Sequence, residues 1–337
     1  MAALQNFTPF QTAVYSHVDD DGRTGQLVVV KAVFTLNTNR LADEVGALAL
    51  RPLPLMQRLG QLRLEPSQRA VLADRLEDKI EWLSSDNVPP KPWFDLLVCG
   101  YAHSPGGQAR ESFGASVHWD TQQIGVRLQA PRRWQRTLIA GGGAVPGDFL
   151  APVCTVPVHP AFAYGGGGGS DDLYNPLGMG QPRDGVSPHQ TPLPWVEHES
   201  HAVVALLRRP QPGAFGPWPE NAEHRRQHIG TWDEAWKIQR APRPPKDFST
   251  RFYNLADPRL QSREPPRPGT PFSLHNLSPR GVDHITWPAV QPLLHIDQQA
   301  ARAMRADTCV VDGDAGLYAI VWRSVAPARA ALMLRAA

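Results

Sequence analysis

The chain has 337 residues, of which 42% are hydrophobic, and its formal net charge is +2. A chain of this length buries a sizeable core without disulfides, and a nearly neutral charge gives no general attraction for nucleic acid. The first residues lack the features of a signal peptide, and no stretch reaches the roughly 18 apolar residues of a membrane span. We therefore expect a cytoplasmic protein with no nucleic-acid or membrane partner.

Proline (34 residues) and glycine (28 residues) are abundant, and ten tryptophans accompany them. Disordered chains contain few large aromatic residues, so this composition predicts an ordered fold with long, proline-stiffened loops. The three cysteines, Cys99, Cys154 and Cys309, are widely spaced and odd in number. This usage predicts reduced, buried thiols instead of a disulfide framework.

Near the start, the sequence predicts a β-hairpin followed by a helix. Residues 10–18 and 26–36 are rich in β-branched residues and flank the turn composition DDDGRTG. Residues 66–83 place leucines and an isoleucine at helical spacing and predict a helix. Strands resume after this helix, and the turns SPGG and DTQQ predict a three-stranded meander from residues 93–102, 112–120 and 123–130.

The rest of the chain predicts short strands, brief helices and proline-rich connectors up to residue 290, then a closing hairpin from residues 307–312 and 316–325. Long irregular loops that contain many tryptophans are expected to pack on a scaffold through their own rings. Strands do not alternate with long helices, so the predicted fold class is mainly β, with sandwich-like or barrel-like antiparallel sheets. We expect a single domain over residues 1–337.

The clearest local helix signal lies in the segment GTWDEAWKIQRAPRPP. Thr231 followed three residues later by Glu234 predicts a capping box. Trp232 and Trp236 are four residues apart, so both indoles are expected on one helix face. A helix this short depends on docking through those rings, which favours core packing over a partner-binding stripe.

Five consecutive glycines, residues 165–169, are followed by Ser170, Asp171 and Asp172. A phosphate-binding loop carries a lysine and a hydroxyl after its glycines and leads into a helix. Here carboxylates follow the glycines, and Pro176 excludes a continuous helix. We therefore interpret the run as a tight backbone excursion that depends on positive φ angles.

Histidine spacing gives no metal motif. His198 and His201 are three residues apart, one short of the zinc-binding HExxH helix, and His224 and His228 lack an assignable third ligand. No GxSxG nucleophile motif occurs, so we predict no catalytic residue, metal or cofactor. Two alternatives remain: a metal-dependent hydrolase that uses these four histidines, and a carbohydrate-binding module that presents a line of exposed aromatic rings.

Six segments are distributed along the chain between about residues 10 and 290. They are VVVKAVFTL at 28–36, SDNVPPKPWFDLLVCGYAHSPGG at 85–107, VRLQAPRRW at 126–134, AYGGGGGSDDLYNPLGMG at 163–180, the long segment 215–261 that contains NAEHRRQHIGTWDEAWKIQRAPRPPKDF, and LSPRGVDHITWP at 277–288. In this order the segments resemble a bacterial family catalogued as domain of unknown function 2169.

The resemblance implies an accessory protein of type VI secretion, an adaptor or chaperone that helps to load an effector toxin onto the spike or tip protein. Ala161 stands where the family usually carries a glutamate, and this loss fits a structural motif better than an active site. Tryptophan and arginine are frequent at binding hot spots, so we take four tryptophans and one arginine of the family segments as candidates and expect those that are exposed to contact the partner. That set is Trp218, Trp232, Trp236, Arg240 and Trp287.

The other residues of the family segments are expected to shape the fold. Lys91 and Asp95 are expected to stabilise a loop-to-strand corner through backbone hydrogen bonds or an ion pair. The complete set of expected structural residues is Lys91, Asp95, Arg133, Trp134, Gly165, Gly166, Asn175, Pro176, Gly178, Gly180, Gly230, Thr231, Asp233, Pro242, Pro245, Asp247, Phe248 and Asn254.

Overall fold

The computed structural model describes residues 4–19, 21–42, 86–120, 122–136, 143–166, 174–182, 187–204 and 210–336. The helix predicted for residues 66–83 lies outside the described residues, as do Ser170, Asp171 and Asp172.

Strands make up most of the regular structure. The first group is β1 (Leu4–Asn6), β2 (Gln11–Val18), β3 (Thr24–Thr35), β4 (Phe94–Cys99), β5 (Tyr101–His103), β6 (Ser112–Trp119), β7 (Gln122–Gln129), β8 (Arg132–Arg136), β9 (Ala144–Phe149), β10 (Thr155–Pro157), β11 (Tyr164–Gly165) and β12 (Met179–Gly180). The second group is β13 (Val196–His198), β14 (Gln261–Ser262), β15 (Pro271–His275), β16 (Val282–Thr286), β17 (Pro292–Ile296), β18 (Arg302–Ala303), β19 (Arg305–Asp312), β20 (Leu317–Pro327) and β21 (Leu332–Ala336).

Helical structure in the described residues is short. The α-helices are α1 (Glu223–Arg226) and α2 (Glu234–Gln239). Single 3-10 turns lie at Pro105–Gly107, Pro160–Phe162, Pro188–Gln190, Thr250–Tyr253 and Pro258–Leu260. The predicted mainly β fold class with a few short helices is therefore confirmed.

A six-stranded sheet in the order β14-β4-β19-β20-β3-β2 forms one side of the core. The predicted N-terminal hairpin is confirmed, because β2 pairs antiparallel with β3 and places Val14 opposite Val28. The predicted closing hairpin is also confirmed, with Cys309 of β19 opposite Ile320 of β20. Runs of β-branched residues form these strands because such side chains pack well on a pleated surface.

The predicted meander is only half correct. Strands β6 and β7 form the expected antiparallel pair, but β4 lies in the other sheet and runs parallel to β19, with Val98 opposite Val311. Every residue of β4 is buried. A strand buried on both faces shows no alternation of polar and apolar residues, so its sequence does not reveal which strand it pairs with.

A five-stranded sheet in the order β13-β7-β6-β15-β16 forms the other side of the core. Its inward residues alternate with outward polar ones, as a half-buried sheet requires, and Val117 and Ile124 join the same buried cluster as Leu96 of β4. The Phe94 ring meets Trp119 of this second sheet edge-on at a centroid distance of 5.6 Å. The two sheets therefore share one core in a sandwich-like arrangement, and none of the sheets within the described residues closes into a barrel.

Smaller sheets complete the architecture. They are the four-stranded sheet β1-β21-β17-β18 and the pairs β5–β10, β8–β9 and β11–β12. The cysteine prediction holds for Cys99 and Cys309, which are buried, but is wrong for Cys154, which is exposed.

The described part of the glycine-rich excursion closes on itself. Asn175 is fully buried, and its Nδ2 donates hydrogen bonds to the carbonyls of Pro160 (2.7 Å) and Tyr164 (3.1 Å). Gly165 has a φ of 145°, and a Cβ there would collide with the Asn175 backbone, so only glycine fits. The Trp134 Nε1 donates to the Gly180 carbonyl at 2.8 Å and ties this excursion to β8. These contacts give the described part of the run the architectural role that we predicted.

The predicted ion pair at the start of β4 is also present. Lys91 Nζ lies 2.8 Å from Asp95 Oδ2, and both side chains are almost completely buried. Asp95 accepts two further hydrogen bonds, from the backbone N–H of Leu255 (2.8 Å) and from Asn254 Nδ2 (3.0 Å). We call this set of four residues the Asp95 corner. It joins the six-stranded sheet to the chain that follows α2.

Candidate partner-binding surface

Residues 228–249 form a loop whose two ends are held together, and we call it the tryptophan loop. The Ser249 N–H donates to the His228 carbonyl at 3.0 Å. Asp247 accepts hydrogen bonds from the backbone N–H of Thr231 (3.0 Å) and from its hydroxyl (2.7 Å). The loop is therefore closed by specific contacts at its neck.

Glycine is required at this neck. Gly230 has a φ of 75°, and a Cβ at this position would lie 2.9 Å from the Phe248 backbone nitrogen. The hydrogen bonds from Thr231 lower the pKa of Asp247, which keeps the carboxylate charged and able to accept both bonds. The expected structural roles of these family residues thus correspond to loop closure.

Helix α2 begins two residues later than the predicted capping box implies. Its N-cap is Asp233, whose Oδ1 accepts from the Trp236 N–H at 2.8 Å, while Thr231 is occupied with Asp247. The predicted Thr231 and Glu234 capping box is therefore wrong. Aspartate is as good an N-cap as threonine, and the competing bond at the neck decides between them.

The two indoles of the loop are not in the core, so the favoured core-packing interpretation is wrong for them. Trp232 is 49% exposed and Trp236 is half-buried. Their rings pack on each other at 4.5 Å, and each Nε1 donates within the loop, Trp232 to the Ile229 carbonyl (2.7 Å) and Trp236 to the Arg243 carbonyl (2.8 Å). The indoles therefore order the loop from within and leave part of their faces open.

Ile238 is an apolar neighbour that sequence reasoning missed. It is 78% exposed and belongs to α2, all six of whose residues are at least partly exposed. Its position two residues after Trp236 excludes it from the tryptophan face, so the spacing of the tryptophans gave no signal for it. Arg240 is half-buried, and its Nε donates to the Pro244 carbonyl at 2.6 Å.

Two of the five candidate contacts are buried instead. Trp218 is 4% exposed and Trp287 is 5% exposed, and both belong to the main buried cluster. Trp287 packs edge-on against Phe94 at 5.5 Å. Both indoles therefore pack in the core, and the candidates that remain at least partly exposed are Trp232, Trp236 and Arg240.

Residues that precede and follow the tryptophan loop in the sequence line a cleft. It has a volume of about 230 Å³, and its lining includes Trp218, His198, His224, Asp257 and Arg259. The His224 ring stands edge-on to Trp218 at 5.5 Å. Burial lowers the pKa of His224 to about 4, so this imidazole is neutral at pH 7.

The candidate histidine ligands do not assemble into a metal site. His198 and His201 are close, with 3.1 Å between their Nδ1 atoms, but His228 lies at the neck of the tryptophan loop. Within the part of the chain that the structure describes, three or more histidine, cysteine or acidic side chains nowhere come together as metal ligands. Likewise, none of the helices formed by the described residues has the length and apolar character to cross a bilayer.

Comparison with known proteins identifies the class of the chain. Residues 21–323 match the family model described as "Uncharacterized protein conserved in bacteria (DUF2169)", and the chain belongs to this family. No curated protein and no solved structure matches the sequence.

Proposed function

We propose that this protein is a cytoplasmic, non-enzymatic adaptor or chaperone of type VI secretion. In this proposal it binds an effector toxin and helps to load it onto the spike or tip protein. The link to type VI secretion comes from the resemblance of the sequence segments to the family. The structure contributes a surface suited to protein binding.

The observation that carries the proposal is the exposed, internally ordered tryptophan loop. Trp232 and Ile238 expose large apolar side chains on a loop that its own hydrogen bonds already hold in place. Ordering a flexible loop on binding costs about 0.5–1.5 kcal/mol for each immobilised side chain, and a preformed loop avoids most of this cost. Partly exposed tryptophans on such a loop have the character of binding hot spots.

Co-purification tests the proposal directly. The chain is co-expressed with the products of its neighbouring genes, taken as the candidate effector and the candidate spike protein, and the affinity of each purified pair is measured. We expect a stable complex with the effector. The proposal is wrong if neither protein binds.

Substitutions in the loop locate the contact. We expect Trp232→Ala to raise the Kd at least about 30-fold, since a hot-spot residue contributes about 2 kcal/mol or more. Ile238→Asp is expected to weaken binding as strongly, because it places a charge in an apolar contact. The matched controls are Leu150→Ala and Val18→Asp, which alter exposed apolar side chains elsewhere and should leave the Kd unchanged.

A further inference from the structure

Strand β2 is an open edge of the six-stranded sheet. It is eight residues long, and within the described residues it pairs only with β3. The Asp19 N–H donates to the Arg23 carbonyl at 3.0 Å, and this bond fixes which residues of the antiparallel pair exchange hydrogen bonds. Every second residue of β2 is bonded to β3, so the backbone groups of Thr12, Val14 and Ser16 point outward from the edge. In the part of the chain that the structure describes, no hydrogen bond reaches these outward groups.

The other edge strands of the two core sheets are short or covered. Strand β14 has two residues, and β13 has three. The outer edge of β16 is covered by the turn that follows β3. There Asn37 exchanges hydrogen bonds with both backbone groups of His284, at 2.9 Å to the carbonyl and 2.7 Å from the N–H. Of these four edges, as the described residues form them, only β2 is both long and open.

Strand β2 also lacks the features with which natural proteins protect an edge strand. Protected edges carry a lysine, a proline, a bulge or an inward charge that stops a further strand from pairing. The sequence QTAVYSHV contains no lysine, arginine, acidic residue or proline, and its register with β3 has no bulge. Outward donors and acceptors that alternate along a strand match one kind of occupant, which is an extended backbone.

The side chains of β2 suit pairing with a second copy of the same strand. Antiparallel pairing about a two-fold axis at Val14 places Val14 opposite Val14, and Thr12 opposite Ser16 of the second copy. Opposed threonine and serine side chains stabilise a strand pair, and β2 has no charged side chain that would meet its like. On the other face, Ala13 and Tyr15 pack against a small apolar cluster, which the pairing would continue across the axis.

We infer that the protein forms a two-fold dimer in which β2 pairs antiparallel with β2 of a second copy and joins two six-stranded sheets into one. Each copy uses its open core-sheet edge in this pair, so assembly stops at two copies. A single strand pair is a small interface, and we expect a weak dimer with a Kd of roughly 1–100 µM. The inference concerns self-association and goes beyond the proposed function.

Sedimentation velocity of the purified full chain tests the inference, at concentrations from well below to well above the expected Kd. We expect a monomer at the low end and a dimer at the high end. Backbone 15N NMR of the same samples should show slower hydrogen exchange of the Thr12, Val14 and Ser16 N–H groups as the dimer forms. The Ala13 and Tyr15 N–H groups already bond to β3, so their exchange is the internal control and should change far less.

Two variants of Ser16 and one control sharpen the test, with the fold of each checked by thermal unfolding. Ser16→Pro removes an outward N–H that the pairing with β3 does not use, so the sheet tolerates it. We expect it to raise the dimer Kd at least about tenfold, because the two-fold axis repeats the lost bond. Ser16→Lys keeps the N–H and adds a charge that protects the edge, so it should also weaken the dimer. Thr286→Lys adds the same charge to an exposed position of β16, whose edge Asn39 helps to cover, and should leave the Kd unchanged.

Three results would overturn the inference. One is a chain that stays monomeric over the whole concentration range, or forms open-ended aggregates in place of a discrete dimer. Another is a folded Ser16 variant that dimerises as well as the wild type. The third is exchange at Thr12 and Val14 that slows only when the candidate effector is added, because β2 would then pair with a strand of that partner. Dimerisation needs no effector, so the adaptor proposal can fail while this result stands, and the reverse also holds.

Discussion

The Asp95 corner and the tryptophan loop differ in where their hydrogen bonds lie. At the corner, the charges of Lys91 and Asp95 are buried and paired, and they tie β4 to Leu255 far along the chain. In the tryptophan loop, Thr231 and Asp247 are exposed, and every bond at the neck joins residues at most 21 positions apart. The corner therefore belongs to the global fold, whereas the contacts that close the loop are local in the chain.

The largest effect is expected at the corner. Asp95→Ala leaves the Lys91 ammonium buried without a partner and removes the acceptor of the Leu255 N–H. We expect the free energy of unfolding to fall by about 3–5 kcal/mol, measured by urea denaturation. Asp21→Ala, which breaks an exposed 3.8 Å contact with Arg23, is the control and should cost less than about 0.5 kcal/mol. An equally small loss for Asp95→Ala would contradict the comparison.

A pH dependence should follow from His224, which is packed against buried Trp218. Its pKa is about 4 in the folded protein and near 6.5 when unfolded, so the unfolded state binds more protons between these values. Stability is therefore fully present above pH 6.5 and is lost as the pH falls. Between pH 7 and 4.5 this group should remove about 2–3 kcal/mol of unfolding free energy.

The measurement compares the wild-type chain with His224→Gln by urea denaturation at both pH values. The variant is expected to lose less stability on acidification, by the amount given above. Equal losses in the two proteins would show that His224 is not held in its neutral form.

The smallest effect on global stability is expected at the loop neck. Thr231→Ala removes the hydroxyl bond to Asp247 but leaves the sheets untouched. The urea midpoint should stay unchanged, while hydrogen exchange of the Ser249 and Arg240 N–H groups should accelerate several-fold. The Val98 N–H, which is bonded to the Phe215 carbonyl, serves as the internal control and should not change. A lowered midpoint would show that the loop is part of the cooperative core.

Local sequence patterns were enough to predict strand pairs whose two strands are neighbours in the sequence. Both hairpins follow from β-branched runs around turn residues, and their strands are neighbours in sequence. The parallel pairing of β4 with β19 joins residues more than 200 positions apart, and β4 is buried on both faces. Nothing in the pattern of one such strand specifies its partner, so the meander prediction failed there.

The candidate site shows the same limit. The four-residue spacing of Trp232 and Trp236 predicts that the two indoles share a helix face. Whether that face is exposed depends on which other parts of the chain pack against it. Ile238 does not share this spacing, so its exposure was not predicted. The cap prediction was wrong because the threonine hydroxyl donates a hydrogen bond to Asp247, 16 residues further on, which the capping-box pattern does not include. The cleft joins His198, Trp218 and Asp257 from three separate segments, so only the folded chain brings them together.

The most direct test of the account is a hydrogen-exchange footprint of the full chain with and without the proposed effector. The account predicts slower exchange in residues 228–249 on binding, with the Asp95 corner unchanged because it is already buried. Protection confined to other surfaces, with exchange in residues 228–249 unaltered, would contradict the claim that the tryptophan loop is the docking surface.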